Sequence, residues 1–221
     1  MSAPSGSDVY LIFHDHEQRA AIADMLSAAG SRVKLFSSAQ DFLALADAVR
    51  PGSLIVQLDL PDMGAIEVLE RLHALQLNFP AILISAGAGA RTVVKALKAG
   101  AVDFLEQPVI PGELLCAIKA CEKRLIEERE KEFARTATSR VATLTERERE
   151  ILERLVSGMP NKAIARELEI SPRTVEFHRA RVMAKMQAAT LSELVLLGAA
   201  AGIGMEKSGR RQGPYTESAT G

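Results

Sequence analysis

The stretch LTEREREILERLVSGMPNKAIARELEISPRTVEFHRARVMAKM, residues 144–186, decides the fold of the C-terminal part of the chain. Thr145 and Glu148 have the spacing of a capping box, in which each side chain binds the backbone N–H of the other residue, so they predict the start of a helix. Gly158 predicts its end, because glycine readily adopts the left-handed conformation that closes a helix.

Two more helices are predicted within the same stretch. Asn161 is expected to cap a short helix that turns Ile164 and Leu168 inward. Ser171 and Pro172 predict the start of a longer one, because serine caps a helix and proline is tolerated at its first position. A short helix, a tight turn and a longer basic helix make a helix-turn-helix.

The longer helix has a predicted buried stripe of Val175, Val182 and Met186, which recur at helical spacing. The residues left on or beside its open face are Arg173, Thr174, Glu176, Phe177, His178, Arg179, Ala180, Arg181 and Lys185. A merely solvated helix face could carry the same residues, but the complete helix-turn-helix favours contact with DNA.

This region strongly resembles the LuxR-type DNA-binding domain, and RTVEFHRARVMAKM is closest to its FixJ branch. The resemblance implies that residues 172–186 enter the major groove of double-stranded DNA. It implies base contacts by Glu176, Phe177 and Ala180, and phosphate contacts by Lys162, Thr174, Arg179 and Lys185. Arg173, His178 and Arg181 are also expected at the interface, and an ion pair of Glu176 with Arg173 or Arg179 stays open.

Upstream, short apolar runs alternate with helical patterns. The runs are VYLIF (9–13), RVKLF (32–36), SLIVQL (53–58), PAILIS (80–85) and AVDFLE (101–106). Helices are predicted near 17–29, 39–48, 65–75 and 90–99 and from Glu113, with Gly30 and Gly100 placed to end two of them. Strands that each precede a helix predict an α/β fold with a doubly wound, five-stranded parallel sheet.

The chain is therefore predicted to contain a receiver-like domain at 1–124 and a small all-α helix-turn-helix domain at 141–205. The charged stretch EKRLIEEREKEFAR (122–135) predicts a helical linker at 125–140, which TATSRVAT (136–143) is expected to break. Residues 206–221 are polar and rich in Gly and Ser, so a disordered tail is expected there.

Residues 9–122 resemble the CheY-like receiver of two-component response regulators. A working receiver phosphorylates one Asp, binds Mg²⁺ through an acidic pair, and uses one hydroxyl and one Lys. The matching positions here are Phe13 and His14 for the acidic pair, Gln57 for the acceptor, Ser85 for the hydroxyl and Gln107 for the lysine. The separations from 14 to 57, 57 to 85 and 85 to 107 are 43, 28 and 22 residues, which agree with the family without a gap.

Only the hydroxyl is kept. The Gln57 amide is a poor nucleophile, and Phe13 and neutral His14 remove the charge that would hold Mg²⁺. The sequence thus predicts a degenerate phosphorylation pocket in which Gln57, Ser85 and Gln107 form a neutral hydrogen-bonded cluster. Phe104 stands at the position of the receiver's switch aromatic, although an ordinary core Phe fits equally well.

The leading interpretation is a sequence-specific DNA-binding regulator of transcription that acts independently of aspartyl phosphorylation. One alternative keeps DNA binding but places phosphorylation on Asp59, beside Asp15. Another is a protein-interaction module that sequesters a partner regulator. No catalytic site, cofactor or metal site is predicted. His14, Asp15 and His16 with Asp59 could be read as metal ligands, but a solvated loop accounts better for them.

Charge and composition agree with a soluble regulator. Residues 1–138 hold 14 Lys/Arg against 18 Asp/Glu, whereas residues 139–221 hold 13 against 10, so the basic half carries the helix-turn-helix. Cys116 and Cys121 are expected to be reduced, and no export signal or long apolar stretch is seen, so a cytoplasmic location without membrane contact is predicted. The resemblance to the LuxR-type domain implies that the last helix, within 191–205, can pair two DNA-binding domains, so a homodimer is expected. Another regulator or sensor is a further candidate partner.

Overall fold

Five short strands, each followed by a helix, form the first half of the protein. The computed structural model describes residues 7–204. The alternating elements are β1 (Asp8–Ile12), α1 (His16–Ala28), β2 (Arg32–Phe36), α2 (Ala39–Leu43), β3 (Ser53–Gln57), α3 (Ala65–Ala74), β4 (Ala81–Ser85), α4 (Ala90–Lys98), β5 (Asp103–Glu106) and α5 (Pro111–Val141). The strands pair in parallel in the order β2-β1-β3-β4-β5, which confirms the predicted doubly wound sheet.

Strand alternation divides the receiver core between the two faces of the sheet. Tyr10 and Ile12 of β1 belong to a cluster with buried residues of α2, α3 and α4. Leu11 of the same strand and Phe13, which follows it, belong to a second cluster with buried residues of α1 and α5. Burial of apolar surface on both faces accounts for the nearly continuous apolar runs of β1, β3 and β4.

Four helices build the second half of the protein. They are α6 (Glu146–Val156), α7 (Asn161–Glu167), α8 (Pro172–Met186) and α9 (Leu191–Ala200). Thr145 and Glu148 form the predicted capping box, Ser171 caps α8 ahead of Pro172, and Gly158 has φ 78°. The buried stripe of Val175, Val182 and Met186 is confirmed.

Three local predictions were wrong. Helix α5 does not break at residues 136–143 but continues to Val141, because Ala137 and Val141 are buried in the core of the second half. Helix α2 ends at Leu43 and continues only as turns. Asn161 does not cap α7; the cap position is Pro160, which offers no side-chain hydrogen bond.

The chain divides into two units, Met1–Arg129 and Glu130–Gly221, and the dividing point lies within the predicted linker. The predicted tail, 206–221, lies outside the described residues. Within residues 7–204 no single helix is long and apolar enough to cross a membrane; α8 and α9 meet that test only as a pair, bent by 64°.

Gly52, which directly precedes β3, is the one described glycine of the first unit where an added Cβ would meet other atoms within 4 Å, and we expect Gly52→Ala to destabilise this unit. A Cβ atom there would overlap the backbone carbonyl oxygen of Asp8 and lie 2.8 Å from Tyr10 Cε2. Because a backbone atom cannot rotate away, we expect a loss of about 2 to 3 kcal/mol in the free energy of unfolding, measured by urea titration.

The matched control is Gly112→Ala in α5 of the same unit, where an added Cβ meets no atom within 4 Å. That change removes a helical glycine and is expected to be neutral or stabilising. Equal losses in the two variants would contradict the steric argument.

Candidate functional site

The receiver pocket lies where parallel strands end at one edge of the sheet. Phe13 and His14 follow β1, Gln57 ends β3, Ser85 ends β4 and Gln107 follows β5. In open α/β sheets this carboxyl edge is where ligands bind. The structure therefore brings the five predicted pocket positions to the same edge.

Although position 13 lies at the pocket edge of the sheet, the Phe13 side chain packs into the hydrophobic core. Its side chain is fully buried among the apolar residues of the α1 and α5 face. An apolar ring supplies no ligand atom to a cation, and His14 beside it is exposed. Within the part of the chain that the structure describes, no group of three or more His, Cys, Asp or Glu side chains could hold a metal ion. The residues present therefore do not fit the Mg²⁺ site of a working receiver.

The Gln57 amide holds the loop after β1. Its Oε1 accepts a hydrogen bond from the backbone N–H of His14 at 3.0 Å. Arg19 of α1 also binds this loop, since its Nη1 donates to the carbonyl oxygens of Phe13, at 2.5 Å, and His14, at 3.3 Å. Arg19 was not predicted as a pocket residue, because its role depends on contacts that only the fold reveals.

The expected neutral cluster of Gln57, Ser85 and Gln107 does not form. Each side chain instead has a different hydrogen-bond partner, either in neighbouring backbone or in α1. Ser85 Oγ accepts from the backbone N–H of Gly87 at 3.2 Å, and Gln107 Nε2 donates to Gln18 Oε1 at 2.8 Å. Hydrogen bonds to loop backbone and to α1 thus replace the predicted mutual contacts.

The rival acceptor Asp59 lies two residues beyond the end of β3. Its side chain is exposed, and its backbone forms an isolated bridge with Gly64 in the turn before α3. Asp15, its predicted companion, caps α1 by accepting a hydrogen bond from the backbone N–H of Gln18 at 2.8 Å. Phe104 is partly buried against the core on the α2, α3 and α4 face, in keeping with the plain core alternative.

Helix α8 presents one continuous exposed face in the second unit. After Pro172 at its start, the exposed residues are Arg173, Glu176, Phe177, Ala180, Arg181 and Ala184. Their spacing of three and four residues places them along a single side of the helix. The three positions implied as base contacts lie on this face, whereas the half-buried Thr174, His178, Arg179 and Lys185 flank it.

Two flanking residues contact the domain itself. Arg179 Nη1 donates to Asn161 Oδ1 at 3.3 Å, which ties α8 to the start of α7. Glu176 forms no ion pair with Arg173 or Arg179 within residues 7–204, so its carboxylate is free to accept a hydrogen bond from a base. Lys162 on α7 is exposed.

Lys185 is paired with Glu148, whose side chain is 2% exposed. Lys185 Nζ lies 2.6 Å from Glu148 Oε2 and donates to the carbonyl oxygen of Thr143 at 3.0 Å. The same carboxylate oxygen accepts the backbone N–H of Thr145 at 2.9 Å. The hydrogen bond from Lys185, aided by that from Thr145, lowers the pKa of Glu148 to about 2. The predicted phosphate contact of Lys185 stays a prediction.

Comparison with known proteins matches both halves. The family described as "Response regulator receiver domain" matches residues 9–119, and "Bacterial regulatory proteins, luxR family" matches residues 142–197. The transcriptional regulatory protein FixJ of Rhizobium meliloti is 43% identical over 197 residues, which cover 89% of this chain and 97% of FixJ. The response regulator protein TmoT of Ectopseudomonas mendocina is 34% identical over 192 residues, 86% of each chain.

The chain belongs to the NarL/FixJ-type response regulators. A crystal structure of full-length FixJ from B. japonicum, 39% identical, gives a TM-score of 0.54 and covers 89% of this chain and 97% of that one. The response regulator StyR, 31% identical, gives 0.60 and covers 88% and 99%. Like its relatives, this NarL/FixJ-type protein is a DNA-binding regulator of transcription and not an enzyme.

The Glu148–Lys185 pair should stabilise the DNA-binding domain of this NarL/FixJ-type regulator. We expect Lys185→Met to lower its free energy of unfolding by about 3 kcal/mol, because a buried carboxylate loses its charged partner. Calorimetry of the full chain measures the change. Lys162→Met, which removes an exposed lysine, is the control and should change little.

The pH dependence gives a second readout of the same pair. The pKa of Glu148 is about 2 in the folded protein against an ordinary 4.5. The stabilisation is therefore complete above pH 4.5 and is lost as the pH falls towards 2. In Lys185→Met this acid-dependent loss should shrink; an unchanged acid profile would contradict the assignment.

Proposed function

We propose that this regulator binds its DNA sites without control by aspartyl phosphorylation. One observation carries the proposal: Gln57 occupies the position of the phosphoryl acceptor, and its amide oxygen accepts a hydrogen bond from the backbone N–H of His14. An amide lacks the anionic oxygen that attacks phosphorus in acyl phosphate formation. The buried Phe13 supports the same conclusion, because it contributes nothing to a cation site.

A small-molecule phosphodonor tests this proposal directly. The full chain is incubated with an acyl phosphate and Mg²⁺ and then weighed intact by mass spectrometry. We expect no phosphoryl adduct and no change in DNA affinity, because the pocket has neither nucleophile nor cation ligands. An adduct that changes DNA affinity would show that the proposal is wrong.

Two variants complete the design. Asp59→Asn identifies the site of any adduct, since loss of the adduct in this variant would support the Asp59 alternative. The combined variant Phe13→Asp, His14→Asp, Gln57→Asp and Gln107→Lys restores the residue types of a working receiver and serves as the positive control. Because Phe13 is a core residue, circular dichroism first establishes that this variant is folded.

The exposed face of α8 and the start of α7 supply the proposed DNA interface. Arg173 and Lys162 are exposed and have no hydrogen-bond or ion-pair partner in the described range 7–204, which suits them to neutralise phosphates. Glu176, Phe177 and Ala180 lie where base edges are read. Thr174, His178 and Arg179 flank this face, and Arg181 lies on it.

A homodimer is part of the proposal. Leu191 and Leu196 of α9 are 41% and 63% exposed, so the last helix has apolar side chains outside the core. A two-fold pair of helix-turn-helix domains reads two half-sites in successive major grooves. We propose that the protein acts in the cytoplasm, where it reaches DNA, and that another regulator or sensor is a further candidate partner.

Charge removal should weaken DNA binding on all sequences alike. We expect Lys162→Gln and Arg173→Gln each to reduce affinity and to lower the slope of log affinity against log salt by about 1, because each removes one phosphate contact. Fluorescence anisotropy with a selected duplex and a scrambled one, at several salt concentrations, measures both quantities.

Arg149→Gln is the matched control, since it removes an arginine of α6 that pairs with Glu153. It should leave the salt slope unchanged. An equal effect in all three variants, or a parent protein that does not distinguish the two duplexes, would favour the alternative of a partner-sequestering module.

A further inference from the structure

Phe177 is an unusual residue for the exposed face of a helix. Its side chain is 58% exposed, and it takes no part in the core of the second unit. The other large exposed apolar side chains described in that unit, Phe133, Leu191 and Leu196, lie on α5 and α9. Within residues 7–204, Phe177 is therefore the one large apolar group that α8 offers to a ligand.

Arg181 lies one helical turn further on and is held over the Phe177 ring. Its guanidinium carbon is 5.1 Å from the ring centroid, within the range of a cation–π contact. No carboxylate or carbonyl oxygen among the described residues accepts a hydrogen bond from Arg181. Its N–H donors are thus available while the ring restricts its position.

We propose that Phe177 and Arg181 form one base-reading unit, in which the Phe177 ring contacts the 5-methyl group of thymine and Arg181 donates to O6 and N7 of guanine in an adjacent base pair. This inference rests on the proposed DNA-binding function and deepens it, because it names the bases. Neither residue contributes to the hydrophobic core, so both can be substituted without loss of the fold.

The chemistry of the major groove leaves few complements for this pair. Thymine displays a methyl group there, which is the apolar feature that an aromatic ring can cover. Guanine displays two acceptors side by side, and the planar fork of arginine matches them with two hydrogen bonds. A duplex step that carries thymine next to guanine therefore satisfies both side chains.

The geometry of α8 supports adjacent base pairs. Residues four apart on a helix are separated by about 6 Å along its axis, and long side chains such as Phe and Arg reach over that distance. Base pairs are stacked about 3.4 Å apart. Because the cation–π contact draws Arg181 towards Phe177, the two groups converge on neighbouring pairs rather than on distant ones.

Base analogues test the unit one atom at a time. The preferred duplex is first selected from a randomised pool with the full chain, and each thymine is then replaced by deoxyuridine and each guanine by 7-deazaguanine. We expect one thymine at which loss of the methyl group weakens binding by about fourfold, the effect of one buried methyl group. At the adjacent guanine, loss of N7 should weaken binding by about fivefold or more.

Three variants assign these effects to side chains. Phe177→Ala should abolish the deoxyuridine effect and also reduce the 7-deazaguanine effect, because Arg181 loses its support. Arg181→Met should abolish the 7-deazaguanine effect. Arg173→Gln, the control on the same face, should weaken all probes equally and leave the pattern of analogue effects unchanged.

The outcomes separate the inference from the function on which it rests. A parent protein without sequence preference would overturn the proposed function itself. Selective binding with no sensitive thymine next to a sensitive guanine would overturn the inference alone. An Arg181→Met variant that loses affinity evenly on all probes, with a lower salt slope, would identify a phosphate contact and would also overturn it.

Discussion

The buried carboxylate of Glu148 joins parts of the DNA-binding domain that come from distant stretches of the chain. It closes the capping box at the start of α6 and binds Lys185 near the end of α8, 37 residues away. Lys185 also donates to Thr143, just after α5. A carboxylate shielded from solvent is stabilised by its charged partner, so the pair restricts how α8 can tilt against α6. The direction in which the exposed face of α8 points depends on this constraint.

The receiver domain has a different kind of constraint, because hydrogen bonds of two amides and one arginine hold its pocket. Gln57 and Arg19 bind opposite polar groups of the loop after β1, and Gln107 binds Gln18 of α1. In a charged receiver pocket a lysine faces carboxylates; here a lysine at position 107 would lack them and would be an unpaired cation. The residues at positions 57 and 107 are therefore consistent with the loss of the acidic pair. A neutral glutamine can still form hydrogen bonds with neighbouring groups, as both Gln57 and Gln107 do.

Local chemistry made much of the fold predictable. The capping box, the Ser171-Pro172 start and Gly158 each depend on residues only a few positions apart in sequence, and the structure has all three. Contacts between distant residues were not predictable in the same way. Nothing near Lys185 in sequence indicates that Glu148 will be its partner, and nothing near Gln107 indicates Gln18, 89 residues away.

Contacts between distant residues also explain why the predictions for α5 and for the amide cluster were wrong. Residues 136–143 contain β-branched side chains of low helix propensity, but burial of Ala137 and Val141 outweighs that propensity. The prediction that one sheet edge holds Gln57, Ser85 and Gln107 is confirmed. Their closeness did not, however, determine their hydrogen-bond partners. A side-chain amide binds the group that is aligned with it, and the backbone N–H of His14 is aligned with Gln57.

The form of the pocket has a consequence for how this regulator can be controlled. A ligand shifts a conformational equilibrium only through its different affinities for the two states, and a phosphoryl group obtains that difference from the charges that surround it. At positions 13, 14, 57 and 107 the side chains are an aromatic ring, an imidazole and two amides, so the pocket offers few charges for a phosphoryl group to engage. On the proposed function, protein concentration and self-association would be the effective controls, because both change the occupancy of DNA by mass action. On the proposed function the exposed face of α8 would select the promoter, and the amount of regulator would set how many of its sites are filled.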